Sequence, residues 1–205
     1  NKQNPLIKHE IIVKGTEHLL KFASKCNCEK FLLLSSAAVY GKQPINISRI
    51  SEKYIGAPST IDKNFEHSVL GNAKRTSEML TTIFSEIHNI ETKIARCFSF
   101  VGPYIPLDIH YAIGNFIRDA INGQSINING DGTPIRSYMY TSDLTIWLWT
   151  ILFKGKSSEL YNVGSEEKTT IKQLAKKIAK LAKVKVNINK QKNKNFSNYV
   201  PSTIK

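Results

Sequence analysis

Phe31-Leu32-Leu33-Leu34-Ser35-Ser36-Ala37-Ala38-Val39-Tyr40-Gly41 is the stretch that decides the fold. Four consecutive apolar residues with no polar alternation predict a strand buried on both faces. Two hydroxyl side chains, Ser35 and Ser36, follow at its carboxyl end. In open α/β sheets ligands bind outside the carboxyl ends of the strands. Alone, a Ser-Ser pair there is a weak signal, because many such serines only cap the strand.

Outward from this strand, helical and extended patterns alternate. Ile11, Ile12, Leu19, Leu20 and Phe22 recur at helical spacing between His9 and Cys26. Lys42 to Ile61, with Pro44, Gly56 and Pro58, reads as a long loop over the top of the sheet. A helix from Phe65 to His88 follows, with Asp62 or Asn64 as its cap. Ile90 to Phe100 reads as a second strand leading into Gly102-Pro103-Tyr104, and Ile113 to Ile121 as a helix stopped by Asn122-Gly123. Ile126 to Asn129 alternates as a strand does and turns at Gly130-Asp131-Gly132. Ser142 or Asp143 opens a helix over Leu144 to Phe153, and Leu160 to Val163 is a short strand. Thr169 or Thr170 caps a lysine-rich helix, and Lys185 to Ile188 is a final edge strand. This order predicts an α/β fold with a mainly parallel sheet, then a smaller mixed region from about Leu107 onward.

With 205 residues, 41% of them hydrophobic, the chain has material for one domain or one and a half. The longest apolar segment, Ile146 to Phe153, is far shorter than the roughly 18 to 20 residues of a membrane span, so no membrane partner is expected. The chain opens Asn1-Lys2-Gln3-Asn4-Pro5, without an initiator Met or an apolar leader, and is expected to begin inside a longer protein. Tyr199-Val200-Pro201 followed by Ser202-Thr203-Ile204-Lys205 reads as the approach to another helix. Cys26, Cys28 and Cys97 form no paired set and predict free thiols in a reducing cytoplasm. No second pair or histidine cluster follows Cys26-x-Cys28, so no metal site is expected. A net charge of +13 suggests an anionic partner. Lys172, Lys176, Lys177, Lys180 and Lys183 flank an apolar stripe of Ile171, Leu174, Ile178 and Leu181, so these lysines form a solvated helix face. Without a recognition motif or an aromatic stacking platform, nucleic acid is not the expected partner.

Four further motifs carry chemistry: Leu70-Gly71-Asn72-Ala73-Lys74 with Glu78 on the long helix; Arg96 to Pro103; Gly130 to Leu144; and Tyr161-Asn162-Val163-Gly164. Their order, with the Ser-strand ahead of them, resembles the extended short-chain dehydrogenase/reductase family, the NAD-dependent nucleotide-sugar epimerases and dehydratases. The resemblance runs from about Gly15 to Pro201. It implies a Rossmann-like sheet lacking its N-terminal part, with residues 1–106 as the C-terminal portion of a cofactor-binding domain. Residues 107–205 would mainly bind the nucleotide-sugar, some segments returning to the Rossmann sheet.

The resemblance also implies roles. Oxidising a secondary alcohol requires a base beside the hydroxyl, and a tyrosine serves only if its pKa is pulled down. A lysine four residues later lies on the same helix face and supplies the charge. By motif position these roles fall on Leu70, where the family has its tyrosine, and on Lys74, with Ser36 on the sugar oxygen. Leucine transfers no proton, so either catalysis is lost or another phenol, Tyr40 or Tyr54, substitutes. Glu78 extends the pattern to YxxxKxxxE and is expected to be structural. Ser35, Lys74, Cys97 and Gly102 are expected at NAD (or NADP). Ser99, Ile126, Asn127, Ile128, Arg136 and Asn162 are expected at the nucleotide-sugar, with the Arg136 guanidinium on its diphosphate. Ala37-Ala38 stand where dehydratases carry Asp-Glu, which favours epimerase, reductase or decarboxylase chemistry. The family's Gly-rich cofactor loop has no counterpart in these residues. A homodimer through helices 9–26 and 65–88 is implied. The other reading is a non-catalytic nucleotide-sugar binder or dimerisation partner.

Overall fold

A computed structural model describes residues 4–62, 65–109, 111–189 and 198–203, leaving aside the side chains of 65–67. Helix α1 (Pro5–Lys25) starts earlier than the hydrophobic pattern alone suggests. The cause is chemical: the Asn4 side chain accepts from the Leu6 N–H at 3.0 Å, and Pro5 occupies the first turn, where its missing N–H costs nothing. Strand β1 (Lys30–Ser36) follows and runs into a single 3₁₀ turn, Ala37–Tyr40. Gly41 ends that turn at φ 68°, where a side chain would also collide with the Ala57 carbonyl. Helix α2 (Phe65–His88) spans the expected residues; of its two expected caps, Asn64 lies outside the described residues. Next come β2 (Glu91–Cys97), β3 (Phe100–Val101), α3 (Ala112–Ile121) and β4 (Ile126–Ile128). They are followed by β5 (Ile135–Arg136), β6 (Met139–Tyr140), α4 (Thr141–Lys154), β7 (Glu159–Val163), β8 (Thr169–Thr170), α5 (Ile171–Ala182) and β9 (Val186–Ile188).

The principal sheet has order β1-β2-β7 and is parallel throughout. Its register places Ser36 beside Cys97 and Cys97 beside Val163, so the carboxyl ends of the three strands finish level. Side chains alternate across a strand. Leu32, Ala95, Cys97 and Val163 pack with Ile151, Leu144 and Leu148 of α4. Ser35 and Arg96, one residue out of phase, meet Glu78 of α2. Helical layers therefore cover both faces. On the α2 side, α1 packs along α2, with the buried Thr16 and Ser77 hydroxyls 3.0 Å apart. On the other side, α4 is apolar nearly all round and leaves Ile146, Trp149 and Phe153 exposed, the last two rings stacked 5.6 Å apart.

A second core forms where α3 and α5 cover the parallel pair β4-β9 around Phe116, Ile126, Ile128 and Leu174, while α4 and β7 return to the principal sheet. Thr170 caps α5 through a reciprocal box with Gln173. The pairs β3-β6 and β5-β8, two residues per strand, link the two regions, the second of them antiparallel. The α/β class with a mainly parallel sheet and a smaller mixed region is the one expected from the sequence. No helix among the described residues is long and apolar enough to cross a membrane, and no group of three metal-ligating side chains occurs among them.

Candidate active site

The level carboxyl ends of β1 and β2 collect the first candidates. Lys74 reaches from α2 to donate to the Leu34 carbonyl at 2.6 Å. Burial depresses its pKa, because the charged ammonium loses water there. Ser36 begins the 3₁₀ turn, and its hydroxyl accepts from the Ala38 N–H at 3.2 Å. Cys97 lies next to Ser36 in register. Burial pushes its thiol up to about 11, against the opposing pull of the Lys74 ammonium. Ser36, Lys74 and Cys97 therefore meet at one strand end.

The approach of α2 to that end depends on Gly71. A Cβ there would overlap the Ala38 carbonyl oxygen and sit 2.7 Å from Pro58 Cγ. Only a residue without a side chain lets the helix come this close. Leu70, one turn before Lys74, is half-buried.

Behind the strand ends lies a buried polar network. The Ser35 hydroxyl donates to Glu78 Oε1 at 2.5 Å. Arg96 grips the same carboxylate with two bonds, Nε to Oε1 at 2.9 Å and Nη2 to Oε2 at 2.6 Å. Its guanidinium also lies over the Tyr40 ring, 4.5 Å from the centroid. The Tyr40 hydroxyl donates to Asn162 Oδ1 at 2.8 Å, and Asn162 Nδ2 donates to the carbonyls of Ile50 at 2.9 Å and Ser202 at 3.1 Å. One chain of hydrogen bonds and a cation–ring contact thus ties α2, β1, β2 and β7 to the segment around Ser202.

This network holds three of the residues named as candidates from the sequence. The Ser35 hydroxyl is turned to Glu78. The Asn162 side chain, expected at the nucleotide-sugar, is buried with both ends of its amide engaged inside the protein. Tyr40 does not fit the role of substitute base: its ring is buried, its hydroxyl is committed to Asn162, and desolvation raises its pKa when a base needs it lowered. Arg96 was not singled out as a site residue. The available signal is its charge within a strand, since a buried arginine requires a partner.

The remaining candidates are dispersed. Ile126 and Ile128 point into the second core, so β4 offers a ligand its main chain and Asn127. That side chain is exposed, donating to the Ser125 carbonyl at 3.1 Å and accepting from Asn187 at 3.0 Å. Arg136 on β5 donates to the Ile135 carbonyl at 2.9 Å and stands 5.2 Å from the centre of the Tyr199 ring, where burial lowers its pKa. The Ser99 carbonyl accepts from the Met139 N–H at 3.0 Å. Gly102 packs against Thr141, whose hydroxyl oxygen would overlap any Cβ. A cavity of about 440 Å³ opens between the start of α4 and the loop after β7, lined by Tyr140, Asp143, Trp147 and Glu166 among others. Ser36, Lys74 and Arg136 are not among its lining residues.

A three-stranded parallel sheet covered by helices on both faces, with a lysine helix and a serine at its carboxyl edge, is a Rossmann-type α/β arrangement. Comparison with known proteins makes this specific: residues 1–164 match the NAD dependent epimerase/dehydratase family, and the chain belongs to that family. It is 30% identical over 187 residues to UDP-glucuronic acid decarboxylase 2 of Arabidopsis thaliana, covering 91% of this chain and 40% of that protein. It is equally similar, 30% over 187 residues, to UDP-glucuronic acid decarboxylase 6 of the same plant, covering 91% and 52%. The chain thus spans about half the length of the curated relatives it matches. The Thermotoga maritima UDP-glucose 4-epimerase, solved with UDP-glucose, superposes with a TM-score of 0.87 at 21% identity over 98% of this chain and 63% of that one. The NAD complex of Bacillus anthracis dTDP-glucose 4,6-dehydratase gives 0.80 at 21% identity over 95% and 60%. These structures share the fold.

Proposed function

We propose that the chain forms the catalytic-lysine and sugar-binding portion of an NAD-dependent (or NADP-dependent) nucleotide-sugar enzyme acting at C4 of a UDP-, dTDP- or CDP-hexose. The observation that carries this reading is Lys74, desolvated and held on the Leu34 carbonyl beside Ser36. A bound nicotinamide would supply the acceptor for the C4 hydride. The residues present fit its ribose end: the Lys74 ammonium has donors beyond the one used on Leu34 and suits ribose hydroxyls. They supply no Gly-rich turn for the pyrophosphate. Ser36 would orient the sugar oxygen and Arg136 the diphosphate. Residues 1–106 form the cofactor-side unit and residues 107–205 the sugar-side unit in this reading. Ala37-Ala38 supply neither acid nor base, which favours epimerase, reductase or decarboxylase chemistry over 4,6-dehydration. The relatives that are decarboxylases by name agree with that preference.

A cytoplasmic homodimer completes the proposal. Leu19 and Phe22 of α1, and Met79, Ile83 and Ile87 at four-residue spacing on α2, expose apolar faces suited to a helical interface. Its molar mass in solution would be twice that of the chain.

Leu70 favours a second reading, a non-catalytic nucleotide-sugar binder, because the position one turn before Lys74 carries no proton and Tyr40 is locked away. Leu70→Tyr, made in the protein as its own gene encodes it, separates the two. Turnover of UDP- or dTDP-sugars by the leucine form removes the binder reading. Turnover by the tyrosine form alone removes the enzyme reading for the natural sequence.

A further inference from the structure

The second core leaves an apolar groove of about 300 Å³ on the surface between α3 and α5, lined by Ile117, Ala120, Ile121, Ile178, Leu181 and Ala182. Two of its residues project into solvent: Leu181 is 86% exposed and Ile121 72%. The helix repeat explains this. Leu181 lies two turns beyond the buried Leu174 on nearly the same line of α5, so the apolar stripe outruns the core it serves. Lys177, Lys180, Lys183 and Lys185 surround the end of this stripe with exposed ammonium groups. No acidic residue occurs in α5, and the approach of Lys177 to Glu167 is a 3.7 Å pair between two well-exposed side chains. Such a pair neutralises little.

We propose that the end of α5 and this groove form a peripheral docking surface for an anionic lipid membrane, with Leu181 and Ile121 entering the acyl boundary and the lysines lying over the head groups. Charge complementarity selects the partner: an amphipathic helix with clustered lysines and projecting aliphatic side chains combines the two forces that hold proteins on acidic bilayers. Nucleic acid fits less well, since the groove contains no aromatic ring on which a base would stack. The contact requires no spanning helix and is separate from the Lys74 site.

Co-sedimentation of the whole protein with phosphatidylglycerol-containing vesicles, against vesicles of phosphatidylcholine alone, tests the proposal. Binding to the first and not the second is expected, weakening as salt rises. Leu181→Glu should lower that binding about tenfold or more with the thermal midpoint unchanged, because the side chain lies outside the core. Lys177→Glu with Lys180→Glu should do the same. Three outcomes overturn it: no vesicle binding, equal binding to both compositions, or binding indifferent to Leu181→Glu. Retention on single-stranded RNA that Leu181→Glu leaves intact, without vesicle binding, would instead assign the lysines to polyanions.

Discussion

Replacing Arg96 by Met asks whether the buried ion pair, and not apolar contact alone, holds α2 on the sheet. The side chains of Arg96 and Glu78 are only 12% and 10% exposed, and two hydrogen bonds join them. Removing one partner of a buried pair costs roughly 3–5 kcal/mol, because the other charge is left without compensation. Ser35 still donates to Glu78, which pulls the figure down. Loss of the cation over the Tyr40 ring, about 0.5–2 kcal/mol, pushes it up. We expect about 4 kcal/mol, and a urea slope near 2 kcal/mol per molar turns this into a midpoint lowered by about 2 M. Far-UV circular dichroism across a urea series measures it. Adding Glu78→Leu to Arg96→Met should recover part of the loss, since it removes the stranded carboxylate. A midpoint shift under about 0.5 M, roughly 1 kcal/mol on the same slope, would refute the reasoning. So would a double variant as unstable as the sum of its singles.

Gly71→Ala should destabilise by about 1–3 kcal/mol, visible as a lower melting temperature, because the new methyl meets the Ala38 carbonyl and the 3₁₀ turn has to move. Tyr40→Phe should cost about 1–3 kcal/mol by depriving buried Asn162 Oδ1 of its donor, and an unchanged urea midpoint would show that water replaces the phenol. Cys97 titrates at about 11 in the folded chain against 9.0 for a free thiol. Between those values the folded state keeps a proton that the unfolded state has lost, so stability is full below pH 9.0 and falls toward pH 11. The loss is at most about 2–3 kcal/mol, and Cys97→Ala should flatten that part of the urea-midpoint profile.

The parts of the fold that were legible in the sequence are those with long-enough periodicity. The apolar run into Ser35-Ser36 marked β1, the helical pattern from Phe65 to His88 marked α2, and Thr169 or Thr170 ahead of the lysine-rich stripe marked the start of α5, where Thr170 is the cap. The paired strands β3, β5, β6 and β8 are two residues each, too short for any alternation to register. At the site, position along a strand was legible, but the direction in which a polar group is satisfied was not. Ser35 and Ser36 are neighbours of identical chemistry; one serves Glu78 and the other the turn that follows. The motif around Asn162 does not tell how its amide is satisfied, because the side chain's partners, Tyr40, Ile50 and Ser202, come from distant parts of the chain.

Both tryptophans of the chain, Trp147 and Trp149, fall on α4. Tryptophan fluorescence is therefore a local reporter of α4, with Trp147 at the cavity beside β6 and Trp149 on the opposite side stacked on Phe153. Anything that settles over Trp149 and Phe153 will move the emission to shorter wavelength without any label being attached.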